Sequence, residues 1–447
     1  MELNGLTAIS PVDGRYRSKC EAVAPYFSEY ALIRYRIKVE VEYFIALSDL
    51  GLHHFPTLEK EDRQKLREIY RSFDLANAEW IKEKEKETNH DVKAVEYFVK
   101  KSVDDLGLEK YREFVHFGLT SQDINNTAIP MALRELFNEQ LFPAYQKLLD
   151  DLNIRAEEWE DVPMLALTHG QPASPTRVGK ELRVFIERLE AQLAHFEHIP
   201  FSAKLGGATG NFNAHHIAYP NVDWPAFADD LVVKRLGLSR SQTTTQIEHY
   251  DNLAAFFHAL QRLNTILTDL ARDLWSYISM DRFKQRAAKD EVGSSAMPHK
   301  VNPIDLENAE GNLGMANASF QHLASKLPLS RMQRDLTDST VTRNIGVPVA
   351  QTLLALDSLQ KGIGKLQVNE KVLREELDVN WSVLSEAIQT VLRREGIPDP
   401  YEKLKAVTRD KGDLDQEAIQ HIIEELDVEE PVKEELHRLT PWDYTGI

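Results

Sequence analysis

The sequence predicts an all-α protein: a central bundle of unusually long helices, with smaller helical domains at either end. Three observations carry that expectation. In DNLAAFFHALQRLNTILTDLARDLWSYIS (251–279), Leu253, Phe256, Phe257, Leu260, Leu263, Ile266, Leu267, Leu270, Leu274 and Ile278 recur at threes and fours. That is one apolar stripe on a helix far longer than the usual three turns. The same spacing marks 174–198 (Val178, Leu182, Phe185, Leu189, Leu193, Phe196), and further long helices are expected over 129–158, 305–326 and 346–362. Strand-like alternation is sparse. Long striped helices bury their stripes against one another, so they form a bundle.

The first 24 residues read as an irregular arm punctuated by Pro11 and Gly14, with Pro25 just beyond. Helical patterns follow from 26 to 110, among them EWIKEKEKETNHDVKAVEYF, whose Glu/Lys alternation at 82–87 reads as a solvated face. The long helices fill 111–363. KGIGKL (361–366) reads as a boundary, and beyond it short helical patterns are separated by GIPDP, DKGD and EEPVKE. The expected division is therefore 1–110, 111–363 and a small helical domain over 364–447. A chain of 447 residues is too long for one simple core, which agrees with that division.

Composition narrows the function. Hydrophobic residues make up 42% and charged residues 28%, as in ordinary soluble globular proteins. No window approaches a bilayer-spanning apolar run, and Asp13 and Arg15 interrupt an N-terminus without a signal-peptide core. The single cysteine, Cys20, excludes an intramolecular disulfide and a cysteine metal site, which points to a reducing cytoplasm. The histidines lack ligand spacing, so no metal is expected, and no cofactor motif occurs; GGATGN (206–211) fits neither the P-loop nor the dinucleotide template. Net charge is −18, from 53 Lys+Arg against 71 Asp+Glu. That field disfavours nucleic acid, and an anionic substrate would need a local cationic pocket built against it.

Polar loops are where such a pocket would come from. GSSAMPHKVNP (293–303) precedes a helix start near Pro303–Asp305. Its small residues can turn backbone N–H groups toward one anion, with Lys300 adding charge and Asn302 a donor. The plain alternative is a loop whose serines cap a helix. THGQPASPT (168–176) sets His169 beside Thr168 and Gln171, before a helix start at Ser174–Pro175. TNHD offers Asn89, His90 and Asp91, and VHFGLTSQDINN offers His116, Thr120, Ser121 and Asp123; for both, helix capping is the plain alternative. Gln246 sits in TTTQIEHYD among threonines, a setting that by itself suggests surface. SRMQRDLTDSTVTRN (330–344) brings Arg331, Arg334 and Arg343 together with Ser339 and Thr340, and PVDGRYRSK repeats that chemistry with Arg15 and Tyr16. Guanidinium forks beside hydroxyls suit phosphate; a solvated charged face is the alternative.

GSSAMPHKVNP resembles the signature G-S-S-x-M-P-x-K-x-N of the fumarase/aspartase superfamily, whose members eliminate fumarate from succinyl-bearing substrates. TNHDVKAVEYF, HFGLTSQDINN, THGQPASPT and SRMQRDLTDSTVTRN resemble the adenylosuccinate lyase family, in its longer bacterial type. The likeness runs from PVDGRYRSK into the C-terminal domain, and the chain stops at WDYTGI slightly earlier than the family leads one to expect. The resemblance implies three mostly helical domains whose middle bundles assemble a tetrameric helical core, with active sites where three subunits meet. It implies cleavage of adenylosuccinate to AMP and fumarate, and of succinylated carboxamide ribotide (SAICAR) to AICAR and fumarate. Carried over by motif, Ser294 is the general base and His169 the general acid. Ser295, Lys300, Val301 and Asn302 fall in the stretch that holds the succinyl carboxylates, and His90, between Asn89 and Asp91, orients substrate and acid. Arg15, Tyr16, Arg334, Ser339, Thr340 and Arg343 fall at nucleotide or phosphate contacts; Thr120, Ser121, Gln246 and Asn308 match further substrate contacts.

That chemistry is reasonable. Taking a proton from carbon beside a carboxylate gives a doubly charged intermediate that needs preorganised donors. Amides at a helix N-terminus, Lys300 and Asn302 are such donors. The leaving nitrogen needs a proton, which an imidazole can deliver near neutral pH. A serine base needs a dry cationic site, and closure of a mobile loop over substrate would supply one. Argininosuccinate lyase, fumarase and aspartase share the signature, but THGQP and the Arg/Ser contacts favour a nucleotide substrate. A catalytically silent helical scaffold would have lost the serine, lysine and histidine that are all present here.

Overall fold

The computed structural model describes residues 2, 4–286, 297, 300–408 and 414–447, apart from the side chains of 406–408. Ser294 and Ser295 lie outside the described residues.

The predicted helices form. Asp251–Ser279 is a single helix with the predicted bounds, and Ile304–Lys326 starts one residue before the expected position. Gly346–Lys365 runs three residues past the expected end and stops within KGIGKL, where the strand Leu366–Val368 begins. Gly362 lies inside that helix because its neighbour is close: a Cβ there would stand 2.9 Å from Leu306 Cδ2. The helix expected over 129–158 begins earlier, as Ser121–Leu136, and continues through a π turn at Phe137–Leu141 into Phe142–Glu158. Pro130, a residue usually confined to a first turn, lies within it. The arm is irregular to Tyr16 and then forms the short helices Arg17–Cys20 and Ala24–Phe27, joined by the 3-10 turn Glu21–Val23.

Two compact units result. The first comprises Met1–Tyr145, Ala191–Thr265 and Gly311–Asp357; the second comprises Gln146–Glu190, Ile266–Glu310 and Ser358–Ile447. Within the first, Glu29–Ser48 packs along Ser121–Leu136 and is buried nearly all round, which explains its lack of a clean polar face. Phe256 is the hub of a ring cluster with Phe137, Phe196 and Phe201, and Phe257 stacks on Phe320 at 5.6 Å. Stripes of successive helices meet there, as the period required. On Leu75–Thr88, Lys82–Glu85, Lys84–Glu87 and Lys86–Glu83 pair along the solvated face.

In the second unit, short helices from Glu370 to His437 enclose Trp381, Leu384, Ile388, Leu392, Ile419, Ile422 and Leu436. Strands are few and short among the described residues. One nest of them matters: Pro163–Met164 pairs with Thr176–Arg177, and inside it Leu167–Thr168 pairs with Gln171–Pro172. The helix expected from Ser174 therefore begins only at Val178, because Thr176 and Arg177 are held extended by that pairing.

Among the described residues, no helix is long and apolar enough to cross a membrane.

Candidate active site

In the second unit, the two residues closing the inner hairpin are His169 and Gly170, at φ 54° and 72°. Positive φ at both central positions is what a two-residue type I′ turn requires, and histidine is among the side chains that tolerate it. The turn thrusts His169 into solvent while the root is fastened. Leu165 packs with Leu377 and Val383, Ser174 Oγ and Tyr444 Oη (2.9 Å) both donate to Glu386, and Arg177 Nε donates to Thr445 Oγ1 at 3.0 Å. Those two hydroxyl donors hold the Glu386 carboxyl below its ordinary range.

The other acid–base and carboxylate candidates of this unit lead into Ile304–Lys326. Lys300 is exposed, its amide donating to Met297 O at 3.0 Å; Val301 is half-buried. Asn302 O accepts from Ile304 N at 2.9 Å, and Asn308 Oδ1 accepts from Ser358 Oγ at 2.9 Å. Lys300–Asn302 thus stands immediately before a helix N-terminus, where free amides and the helix dipole favour an anion.

The first unit gathers a different set. Arg334 Nη2 reaches Ser339 Oγ at 2.8 Å and Asp338 Oδ1 at 3.2 Å. Arg343 Nη1 donates to Ser339 O at 2.9 Å, and Arg343 Nη2 to Asp91 Oδ2 at 2.8 Å. In the orientation its neighbours require, the Gln122 amide oxygen accepts from Arg334 Nε and Nη2 at 3.2 and 2.6 Å. Asp91, Arg334, Ser339 and Arg343, scattered in sequence, thus come together. Thr340 is exposed beside them, and Arg331 is a solvated residue paired with Asp335. Asp91 would be raised by its burial, but Arg36, the Val92 amide and Arg343 outweigh that and hold its carboxyl well below the usual range.

The capping alternatives prove correct as structure for two loops. Asn89 is the left-handed C-cap of one helix, and His90 N-caps the next, its Nδ1 accepting from Lys93 N at 3.1 Å with the ring exposed. Asp123 reaches back to Thr120 N at 2.8 Å, with Ser121 opening the helix. Gln246 is half-buried and donates to Ala208 O at 3.2 Å, within GGATGN. Arg15 is exposed, over the Tyr16 ring at 5.7 Å.

Beneath these loops lies a polar floor of which the sequence analysis names only His116 and Asp123. Asp123 and Lys204 are fully buried and paired at 2.7 Å, and Asp123 also accepts from the Gly206 and Gly207 amides at 2.8 and 3.1 Å. His116, at φ 59°, meets the buried Glu40 at 2.5 Å; burial lowers its pKa, yet Glu40 outweighs this and raises it. His215 is 1% exposed beside Tyr43 Oη at 3.0 Å, and burial pushes its pKa down to about 4. Tyr250 Oη donates to Asp338 at 3.0 Å and accepts from Asn126 at 2.7 Å. Arg36 is buried too, donating to Asn125 and Asp91. A signal existed for two of these: Arg36 and Glu40 fall four apart on the same face as Tyr43, inside an otherwise apolar helix. Among the described residues, no His, Cys, Asp or Glu cluster could hold a metal ion.

The comparisons with known proteins place this long-helix fold in a lyase class. Residues 14–317 match the family model described as Lyase, and 330–445 match Adenylosuccinate lyase C-terminal. The 3-carboxy-cis,cis-muconate lactonizing enzyme from Pseudomonas putida superposes with TM-score 0.75 at 20% identity, covering 95% of this chain and 94% of that one. Fumarate lyase from Mesorhizobium sp. BNC1 gives 0.73 at 18% identity over 95% of both. At that identity they show the fold.

Full-length relatives are more specific. Adenylosuccinate lyase of Dictyostelium discoideum is 55% identical, that of Vibrio cholerae 49% and that of Escherichia coli K12 47%, each over 100% of this chain and 98% of the relative. The chain belongs to the adenylosuccinate lyase family.

Proposed function

We propose that the protein eliminates fumarate from adenylosuccinate, giving AMP, and from SAICAR, giving AICAR, in purine biosynthesis. The observation that carries this reading is the pair Arg334 and Arg343 converging on Ser339 in a chain of net charge −18. Two guanidinium forks beside a hydroxyl, maintained against the global field, suit a substrate with a phosphate. Fumarase or aspartase substrates have none.

Ser294 removes the proton from the succinyl carbon beside the carboxylate, and that proton stays on its oxygen. The electron pair forms the fumarate double bond as the C–N bond breaks, and His169 gives its proton to the departing nitrogen. An exposed imidazole at a hairpin tip with a fastened root can meet a substrate without reorganising the fold. Lys300, Asn302 and Ser295 hold the carboxylate on which charge develops, at a helix N-terminus. Asn89, His90, Asp91, Thr120, Ser121, Gln246, Val301 and Asn308 contact or orient substrate; Arg15, Tyr16, Thr340 and the two arginines take the nucleotide. We also propose a cytoplasmic homotetramer of three-domain chains, divided at 1–110, 111–363 and 364–447, whose active sites draw loops from three subunits.

The test is fumarate release, followed by ultraviolet absorbance, from adenylosuccinate, SAICAR, argininosuccinate, malate and aspartate in turn. Turnover of the first two alone supports the reading. Turnover of argininosuccinate or malate overturns the substrate assignment, and no turnover by folded protein overturns the activity.

A further inference from the structure

Arg36 stands apart from the other arginines of the first unit because it is 2% exposed yet incompletely partnered. Its Nε donates to Asn125 Oδ1 at 2.8 Å and its Nη2 to Asp91 Oδ2 at 2.7 Å. Its Nη1 is buried with no hydrogen-bond partner among the described residues. A guanidinium has five N–H donors in a fixed fork, and burying charged donors unmet is costly, so such a group is normally completed by a ligand or an ordered water.

Its position decides between these. Arg36 lines a narrow pocket together with Gln122, Asn125, Ser339, Thr342 and Arg343. Arg36 Nη2 and Arg343 Nη2 both reach the same oxygen, Asp91 Oδ2, at 2.7 and 2.8 Å. One carboxylate oxygen therefore holds two guanidiniums side by side, and Ser339, which accepts from Arg334, borders the same space. Asp91 and Asp338 each pair with one of these arginines, so the case for a phosphate rests on donors: Arg36 Nη1 is unmet, and Ser339 and Arg343 border the same space.

We propose that Arg36 is a further binding residue for the phosphate monoester of the nucleotide, its Nη1 donating to a phosphate oxygen between Arg343 and Ser339. This rests on the nucleotide reading above and adds a residue to it that no family motif marks. A purely structural Arg36 would tie helices together through Asn125 and Asp91 and would be indifferent to the ligand's phosphate.

The experiment is calorimetric binding of AMP, adenosine and inorganic phosphate to full-length protein, wild type, Arg36→Lys and Arg36→Gln. Arg36→Lys keeps a charge for Asp91 and so preserves the fold while losing the fork. Wild type is expected to bind AMP more tightly than adenosine. Either variant should weaken AMP about tenfold or more, since a hydrogen bond to a charged group is lost, and leave adenosine unchanged. Equal weakening of AMP and adenosine, or unchanged AMP affinity, overturns the proposal, as does a wild type that binds neither AMP nor phosphate. A wild type that binds AMP but releases no fumarate overturns the reaction instead and leaves Arg36 supported.

Discussion

Asp123 and Lys204 of the first unit are both fully buried and paired, whereas His169 of the second stands in solvent at the tip of a two-residue turn. Around the buried pair two loops are fixed by one charge: Asp123 gathers the amides of Thr120, Gly206 and Gly207. Around His169 only the root is fixed, through Leu165 and Ser174. The difference teaches where function can be separated from stability. In the proposed reading, the arginines that take the nucleotide are set over a charged floor and cannot be changed without disturbing it, whereas His169 sits on an exposed turn that the fold does not need.

The largest effect should come from the proposed proton-transfer residues. His169→Gln and Ser294→Ala are expected to lower turnover of adenylosuccinate by about 10²–10⁴-fold, the usual worth of general acid–base catalysis. For His169→Gln the thermal midpoint should stay within about 1 °C of wild type, because an exposed surface residue contributes little to stability. Paired kinetics and melts check this; a large fall in midpoint would break the contrast.

Next comes the floor. Lys204→Met leaves Asp123 as a buried charge without its counter-ion, which costs about 3–5 kcal/mol, read as a lower midpoint in denaturant. A loss under about 1 kcal/mol would mean that the floor is less dry than its burial indicates.

The third effect is pH. His215 is depressed by burial from 6.5 to about 4, so between those values the unfolded chain binds the proton and the folded one does not. Stability contributed by neutral His215 is therefore present above pH 6.5 and is lost as pH falls toward 4, by about 3 kcal/mol in all. His116 is raised by Glu40, so its contribution is present below its ordinary value and is lost as pH rises through the folded one. The two have opposite signs, and the readout is the difference between wild type and His215→Gln across pH 7 to 5. The variant should lose less stability on acidification; equal slopes would contradict a buried neutral imidazole.

The smallest effect sharpens the comparison from outside both regions. Lys86→Ala removes an exposed i,i+3 pair with Glu83 and should change stability by less than about 0.5 kcal/mol, checked by denaturant melts.

The long helices were legible because an apolar stripe over several turns is a repeated signal: Leu253 through Ile278 specify one helix and its buried side together. Their ends were less so. Nothing local in Ser174–Arg177 tells that Thr176 will pair with Met164, so the helix start was placed four residues early. In KGIGKL the helix does end, at Lys365, but Gly362 lies inside it and serves close packing on Leu306. In the first unit, candidates bearing arginine and hydroxyl groups stood out by residue type, and the structure gathers Arg334, Ser339 and Arg343 around Asp91. Of the floor, VHFGLTSQDINN offers Asp123, but Lys204 and His215 come from segments up to 92 residues away, and their meaning lies in burial, which one sequence does not display for isolated charges. Gly118 shows the same limit: it looks like any loop glycine, yet a Cβ there would meet the His215 ring at 2.7 Å.

The most direct measurement is equilibrium binding of AMP to His169→Gln and to Arg343→Gln, beside their turnover of adenylosuccinate. The account predicts that His169→Gln binds AMP as wild type does while turnover collapses, and that Arg343→Gln loses about tenfold or more in AMP affinity. AMP binding lost in His169→Gln and kept in Arg343→Gln would contradict the division of binding and proton transfer between the two regions.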